Sequence, residues 1–179
     1  GLSPERCDLI RTASPMHDIG KIGTPDHVLL KPGKFTPEEF KVITQHTEIG
    51  YRILAGSDSE LLKIAAIIAW THHERYDGTG YPRGLAGDTI PLEGRITAIA
   101  DNFDALTTQR VYKPAYDFDH AKELMLKERG KHFDPELLDI FFDSMEEITR
   151  IYDQFADPAW LASSRHRAIA QAHGEGEGS

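Results

Sequence analysis

Histidines and aspartates recur along this chain at almost even intervals, on segments that otherwise pattern as apolar helical faces. Asp18 to His46, His46 to His72, and His73 to Asp101 are each separated by 26 to 28 residues. Burying imidazoles and carboxylates is costly unless each finds a strong partner, and native interiors leave few polar groups unpaired. Spacing of this kind suits antiparallel helices that return to one level of a bundle. The pattern therefore constrains fold and chemistry together: helices must bring His17, Asp18, His46, His72, His73 and Asp101 to one centre.

The helical signals agree. Ser3 and Pro4 read as an N-cap and first helical residue of a helix running toward Ile10, and Pro15 should end or kink it. The stretch "TPDHVLLKPGKF" reads as a loop. Thr36, Pro37 and Glu39 form a capping-box pattern ahead of one helix with Phe40, Ile43, His46, Gly50, Ile53 and Leu54 on a stripe. Asp58 or Ser59 caps the next, whose inner stripe is Leu61, Ala65, Ile68 and His72. A long glycine-rich loop, "ERYDGTGYPRGLAGDTIP", precedes a helix from Pro91 or Leu92 with Gly94, Ala98, Asp101 and Ala105 on a narrow face. Asp119 is read as the cap of a further helix stopping at Gly130, and Asp134–Pro135 opens a last long helix to about Phe155. No repeat and no convincing strand is present, so the expected fold is all-α. The tail "AHGEGEGS" has the composition of a disordered end.

With 179 residues the chain can bury one real core, and a net charge of −9 argues against binding duplex nucleic acid, which needs a basic face. No apolar run approaches the ~18 residues of a membrane span. Cys7 is the only cysteine, which excludes internal disulfides and thiolate clusters and fits a cytoplasmic location.

Four imidazoles and two carboxylates are too many ligands for one tetrahedral zinc. The mixed nitrogen–oxygen set points to two octahedral first-row metals such as iron or manganese, with Asp18 as the bridging carboxylate. His27, His120, His132, His166 and His173 are read as solvated, and Trp70 and Trp160 as core or interface aromatics.

The stretches "HDIGKIGTPD", "HHERYDGTGYP" and "AIADNFDALTTQRVYK" resemble the HD-GYP domain, a branch of the HD metal-dependent phosphohydrolases, over about residues 2 to 142. The resemblance implies a helical bundle of the HD type over residues 1–158, followed by a C-terminal extension, 159–179. It implies two or three divalent metals held by His17, Asp18, His46, His72, His73 and Asp101. The implied activity is hydrolysis of the bacterial second messenger cyclic di-GMP to pGpG, and on to GMP, by a metal-bridging hydroxide. Lys21 completes an HD-x-x-K pattern and would lie near the scissile phosphate with Asp18. Gly80, Tyr81 and Pro82 are the GYP signature; Tyr81 is expected to stack on guanine or donate its hydroxyl, with Arg83 close behind. Arg110 and Lys113 match the family's phosphate-binding pair. Asp104 matches an acidic residue that supports the ligands or faces the guanine.

One departure accompanies the match. The family's first helix, with a further His ligand and in trinuclear members a Glu, would precede Gly1. The expectations are a looser centre, an exposed groove favouring a homodimer, and a sensor or receiver domain upstream in the parent chain. Hydrolysis of another cyclic dinucleotide such as cyclic GMP-AMP, or a catalytically silent nucleotide-sensing or protein-interaction module, are the competing readings.

Overall fold

A computed structural model of the chain describes residues 1–108 and 115–155. Arg110, Lys113, Trp160, His166, His173 and the expected extension from residue 159 lie outside the described residues. Two compact units are present, Gly1–Asp139 and one beginning at Ile140.

The elements run α1 (Pro4–Ala13), α2 (Asp26–Leu29), α3 (Pro37–Thr44), α4 (His46–Leu54), α5 (Glu60–Thr71), α6 (Leu92–Thr107), α7 (Phe118–Lys127), α8 (Pro135–Asp143) and α9 (Met145–Phe155), with 3-10 turns at Ser14–Met16, Ile19–Gly23 and Gly87–Thr89. Among the described residues β pairing is limited to two isolated bridges, so the architecture is all-α. No helix among them is long and apolar enough to cross a membrane.

Local chemistry sets the helix starts. Ser3 Oγ accepts the Arg6 N–H at 3.2 Å. Thr36 Oγ1 accepts the Glu39 N–H at 3.2 Å, while the Glu39 carboxylate accepts the Thr36 N–H at 2.7 Å, completing the capping box. α1, α4 and α5 then pack Ile10, Ala13, Leu54, Ile64, Ala65, Ile68 and Ala69 into one core. The ion pair between Arg6 and buried Glu93 ties α1 to α6.

Two crossings need glycine. A Cβ on Gly20 would fall 1.9 Å from the His46 carbonyl oxygen and 2.4 Å from the Gly50 nitrogen, so the 3-10 turn after Asp18 lies directly on the main chain of α4. A Cβ on Gly94 would fall 2.2 Å from Thr71 Oγ1, where α6 crosses the end of α5. These contacts draw the segments bearing Asp18, His46, His72 and Asp101 together.

Four expectations are corrected. The stretch read as a loop contains α2, which buries Val28. The helix expected from Thr36 to Leu54 is two helices, because His46 Nδ1 takes the Ile43 carbonyl at 2.6 Å, the group a continuous helix would give to the Thr47 N–H. That break leaves Phe40 and Ile53 half exposed instead of on one buried stripe. Asp117, and not Asp119, caps α7: its extended backbone lets the carboxylate accept the His120 N–H at 2.8 Å, whereas Asp119 already sits inside the first turn. The last helix is likewise interrupted at Ser144, whose hydroxyl donates to the Ile140 carbonyl at 2.9 Å.

Candidate metal centre

Three of the histidines are held in the same way. Nδ1 of His17 donates to the Ser14 carbonyl at 2.8 Å, Nδ1 of His46 to Ile43 at 2.6 Å, and Nδ1 of His72 to Ile68 at 3.1 Å. A carbonyl only accepts, so each Nδ1 carries hydrogen and each Nε2 is left to face inward. The outcome at the centre is that lone pairs on His46, His72 and Asp18 face one another. His46 Nε2 and His72 Nε2 stand 3.4 Å apart, lone pair toward lone pair in the neutral rings. Asp18 Oδ1, buried and without a hydrogen-bond partner among the described residues, lies 3.4 Å from the first and 3.9 Å from the second. One ligand atom from each of Asp18, His46, His72 and His73 falls within 4.8 Å of all the others. Such crowding of electron pairs is unfavourable by itself and becomes favourable around a cation, so this donor set fits a metal ion.

The second half of the centre is ionic. His17 Nε2 is 3.3 Å from Asp18 Oδ2 and 3.6 Å from Asp101 Oδ1. Lys21 Nζ donates to the same Asp18 Oδ2 at 2.5 Å. Asp18 thus turns one oxygen to His46 and His72 and the other to His17 and Lys21, the disposition expected of a bridging carboxylate.

Electrostatics separate the halves. Burial pulls the His17 imidazole down, but Asp101 and Asp18 outweigh it and raise its pKa to about 10. Burial alone pushes the other way at Asp18, where His17 and Lys21 hold the carboxyl far below its usual range. Asp101 is likewise lowered: burial opposes ionisation, and His17 overcomes it. On the opposite wall burial dominates, followed at His72 and His73 by repulsion from neighbouring imidazoles. His72 falls to about 4, His73 to about 2, and His46 also falls. These rings stay neutral, as metal ligation requires.

A residue that sequence reasoning missed organises the rim. Glu74, only 2% exposed, accepts the Arg83 N–H at 2.8 Å and the Leu85 N–H at 2.9 Å. It clips the glycine-rich loop back onto the end of α5. The available signal was an acid placed directly after the His72–His73 pair, where a solvated loop would not need one. Gly80 serves the same closure: a Cβ there would sit 2.3 Å from the Arg75 nitrogen, so its lack of side chain admits the chain's own backbone. Gly80 leads into Tyr81, whose N–H donates to the His73 carbonyl at 3.2 Å and whose ring stacks on His73 with centroids 4.8 Å apart. Tyr81 also meets the ring of Phe40 edge-on at 5.8 Å. Burial and the charges of Asp18 and Asp101 raise the Tyr81 hydroxyl above its ordinary pKa, so it stays protonated and able to donate. Pro82 follows through a cis peptide bond.

All six expected ligands therefore converge, with Lys21 and Tyr81 at their edge. Asp104 does not join them; it is exposed, one turn beyond Asp101, and accepts the Thr108 hydroxyl at 3.0 Å. His132, read as solvated, is partly buried and stacked on Phe133 at 4.4 Å, and burial together with Arg75 lowers its pKa to about 4. His27 and His120 are exposed as expected.

An all-α bundle that gathers neutral imidazoles and paired carboxylates in this way belongs to the class of divalent-metal-binding helical domains. The chain is a member of the HD domain family, whose model matches residues 1–137. Curated relatives carry the HD-GYP resemblance further. The chain is 48% identical over 156 residues to the cyclic di-GMP phosphodiesterase response regulator RpfG of Xanthomonas campestris pv. campestris, covering 87% of this chain and 41% of that protein. It is 48% identical over 157 residues to a cyclic di-GMP phosphodiesterase of Thermotoga maritima, covering 88% and 43%. It is 43% identical over 157 residues to 3'3'-cGAMP-specific phosphodiesterase 2 of Vibrio cholerae serotype O1, covering 88% and 30%. The chain spans less than half the length of each of these relatives.

Proposed function

We propose that this domain hydrolyses cyclic di-GMP to the linear dinucleotide pGpG, with GMP as a further product. The observation that carries the reading is the buried Asp18 Oδ1, without a hydrogen-bond partner among the described residues and set beside two imidazole Nε2 atoms. The names of the relatives supply the substrate class.

His17, Asp18, His46, His72, His73 and Asp101 would hold two divalent metals, iron or manganese, with room in the reading for a third. When bound, these would supply Lewis acidity toward the phosphoryl oxygens of the scissile diester. The chain's own groups do the rest. Lys21, fixed by Asp18 at 2.5 Å, places a positive charge beside the phosphate, where charge grows in the transition state. Asp18, held ionised, orients that ammonium group. Tyr81, protonated and stacked on His73, offers a hydroxyl or its remaining surface to a guanine. Gly80 and Pro82 shape the turn that presents it. Arg110 and Lys113 would grip phosphate, Arg bidentately and Lys as a point charge. Asp104, being exposed, would act only on an outlying part of the substrate.

A second reading, cleavage of cyclic GMP-AMP, is favoured by the Vibrio cholerae relative. Incubating the iron- or manganese-loaded protein with each labelled dinucleotide and resolving the products by chromatography decides between them. Formation of pGpG is the expected result. Faster turnover of cyclic GMP-AMP would transfer the assignment, and no linear product from either would reject the enzyme reading in favour of a silent sensing module. The same reading places the domain in the cytoplasm, behind a sensor or receiver domain. The response-regulator relative, of which this chain covers 41%, supports that arrangement. Self-association as a homodimer belongs to the reading too.

A further inference from the structure

The loop clipped by Glu74 carries a cation that the reaction outlined above leaves unused. Arg83 is exposed, and its guanidinium carbon lies over the ring of Trp70, 4.5 Å from the centroid. Trp70 is itself stacked on Tyr51, with centroids 4.1 Å apart and planes 24° from parallel. The main chain at Arg83 is fixed by its N–H bond to buried Glu74 at 2.8 Å. Two residues earlier in the same loop, Tyr81 lies on His73. Trp70 lies in the last turn of α5, and His73 follows two residues past the end of that helix. A planar cation is thus supported on an aromatic layer by the same loop that lays Tyr81 on His73.

A guanidinium lying over an aromatic ring keeps the donors along its edge free, arranged as a rigid fork. That fork matches a pair of acceptors at fixed spacing. Guanine presents such a pair in N7 and O6, whereas adenine sets an N6 amino donor where guanine has O6. A base contact is favoured over a phosphate contact on two grounds. Lys21 already stands at the centre for the phosphate. The substrates named for the relatives, cyclic di-GMP and 3'3'-cGAMP, have a guanine in common and differ in the other base.

We propose that Arg83, laid on Trp70 and positioned through Glu74, reads a guanine base of the substrate through N7 and O6. This rests on the cyclic-dinucleotide reading above and specifies how that substrate is chosen. The test compares phosphorothioate analogues of cyclic di-GMP and cyclic di-AMP, which resist hydrolysis and share the same backbone. Their binding to the metal-loaded protein is measured by calorimetry for the unmodified chain, Arg83→Ala and Arg83→Lys. Because Arg83 is exposed, both variants should melt with the unmodified protein. The expected result is a preference for the guanine ligand of about tenfold or more. Both variants should lose it by weakening the guanine ligand alone, since Lys restores charge without the fork. Equal weakening of both ligands, rescued by Lys, would identify a phosphate contact and overturn the proposal. So would unchanged affinities in both variants, or an unmodified chain with no preference between the bases. An unmodified chain that binds neither dinucleotide would instead bring down the cyclic-dinucleotide reading, and this one with it.

Discussion

The two walls of the centre use the same side chain to opposite ends. On one wall burial keeps His46, His72 and His73 neutral, with repulsion from neighbouring imidazoles adding to it at His72 and His73. On the other, His17 is only partly buried and lies between Asp18 and Asp101, and the carboxylates hold a proton on it up to a pKa of about 10. Imidazole chemistry is thus set by neighbours and not by residue type. The neutral wall is ready for a cation. The ionic wall already balances its charges and must exchange a proton for a metal. Asp18 belongs to both, one oxygen each.

Removing that shared residue should have the largest effect. Asp18→Ala is expected to empty the centre of metal, measured by elemental analysis, and to cut cyclic di-GMP hydrolysis by about a thousandfold or more, because several kcal/mol of charge stabilisation disappears. Retention of the full metal complement would show that the walls do not depend on a common carboxylate. Next comes Lys21→Ala, which touches only the ionic wall. Turnover should drop about a hundredfold with metal content unchanged; a matching loss of metal would make Lys21 a structural brace for Asp18.

Glu74→Gln leaves both walls intact and loosens the rim. A Gln offers one acceptor where two N–H groups need one each, so one buried donor is stranded at a cost of about 2 kcal/mol. Thermal denaturation should show a melting temperature several degrees lower, with metal bound as before. An unchanged melting temperature would mean the loop holds without its clip.

A last comparison separates the walls by pH, using the chain kept free of metal by a chelator. His72 and His73 take up protons near 6.5 when unfolded but only near 4 and 2 when folded, so stability falls as pH drops below 6.5. For His17 the folded value is raised, so its contribution is complete below 6.5 and fades as pH climbs toward 10. Melting temperature should therefore peak near neutrality and decline on both sides. Loading with metal should abolish the alkaline decline, since the proton on His17 is then displaced. A flat alkaline arm in the chelated chain would mean that His17 is neutral.

Much of this was legible before any coordinates. The gathering of Asp18, His46, His72 and His73 was readable because inward imidazoles and carboxylates at recurring helical intervals have no inexpensive alternative partner. The Thr36–Glu39 capping box was readable because its two hydrogen bonds are local. What escaped was non-local or competitive. His46 interrupts its own helix by taking the Ile43 carbonyl, an outcome invisible to apolar periodicity, which ran unbroken from Phe40 to Leu54. Glu74 looked like one more charge in a polar loop, because its partners are main-chain groups nine and eleven residues ahead. His132 looked solvated because nothing in its neighbourhood of sequence announces the stacking on Phe133 or the nearby Arg75.

Gly20 rests on the His46 carbonyl and the Gly50 nitrogen with no side chain between them. The gap separating the carboxylate two residues before Gly20 from the imidazole across it is consequently gauged by main-chain atoms touching main-chain atoms. Drift in the apolar interior, with leucines traded for isoleucines or alanines for valines, can reshape the bundle around that contact without widening it. Heritable change can thus rebuild the walls of this centre while the ruler between them keeps its length, and a substitution at Gly20 would break the ruler.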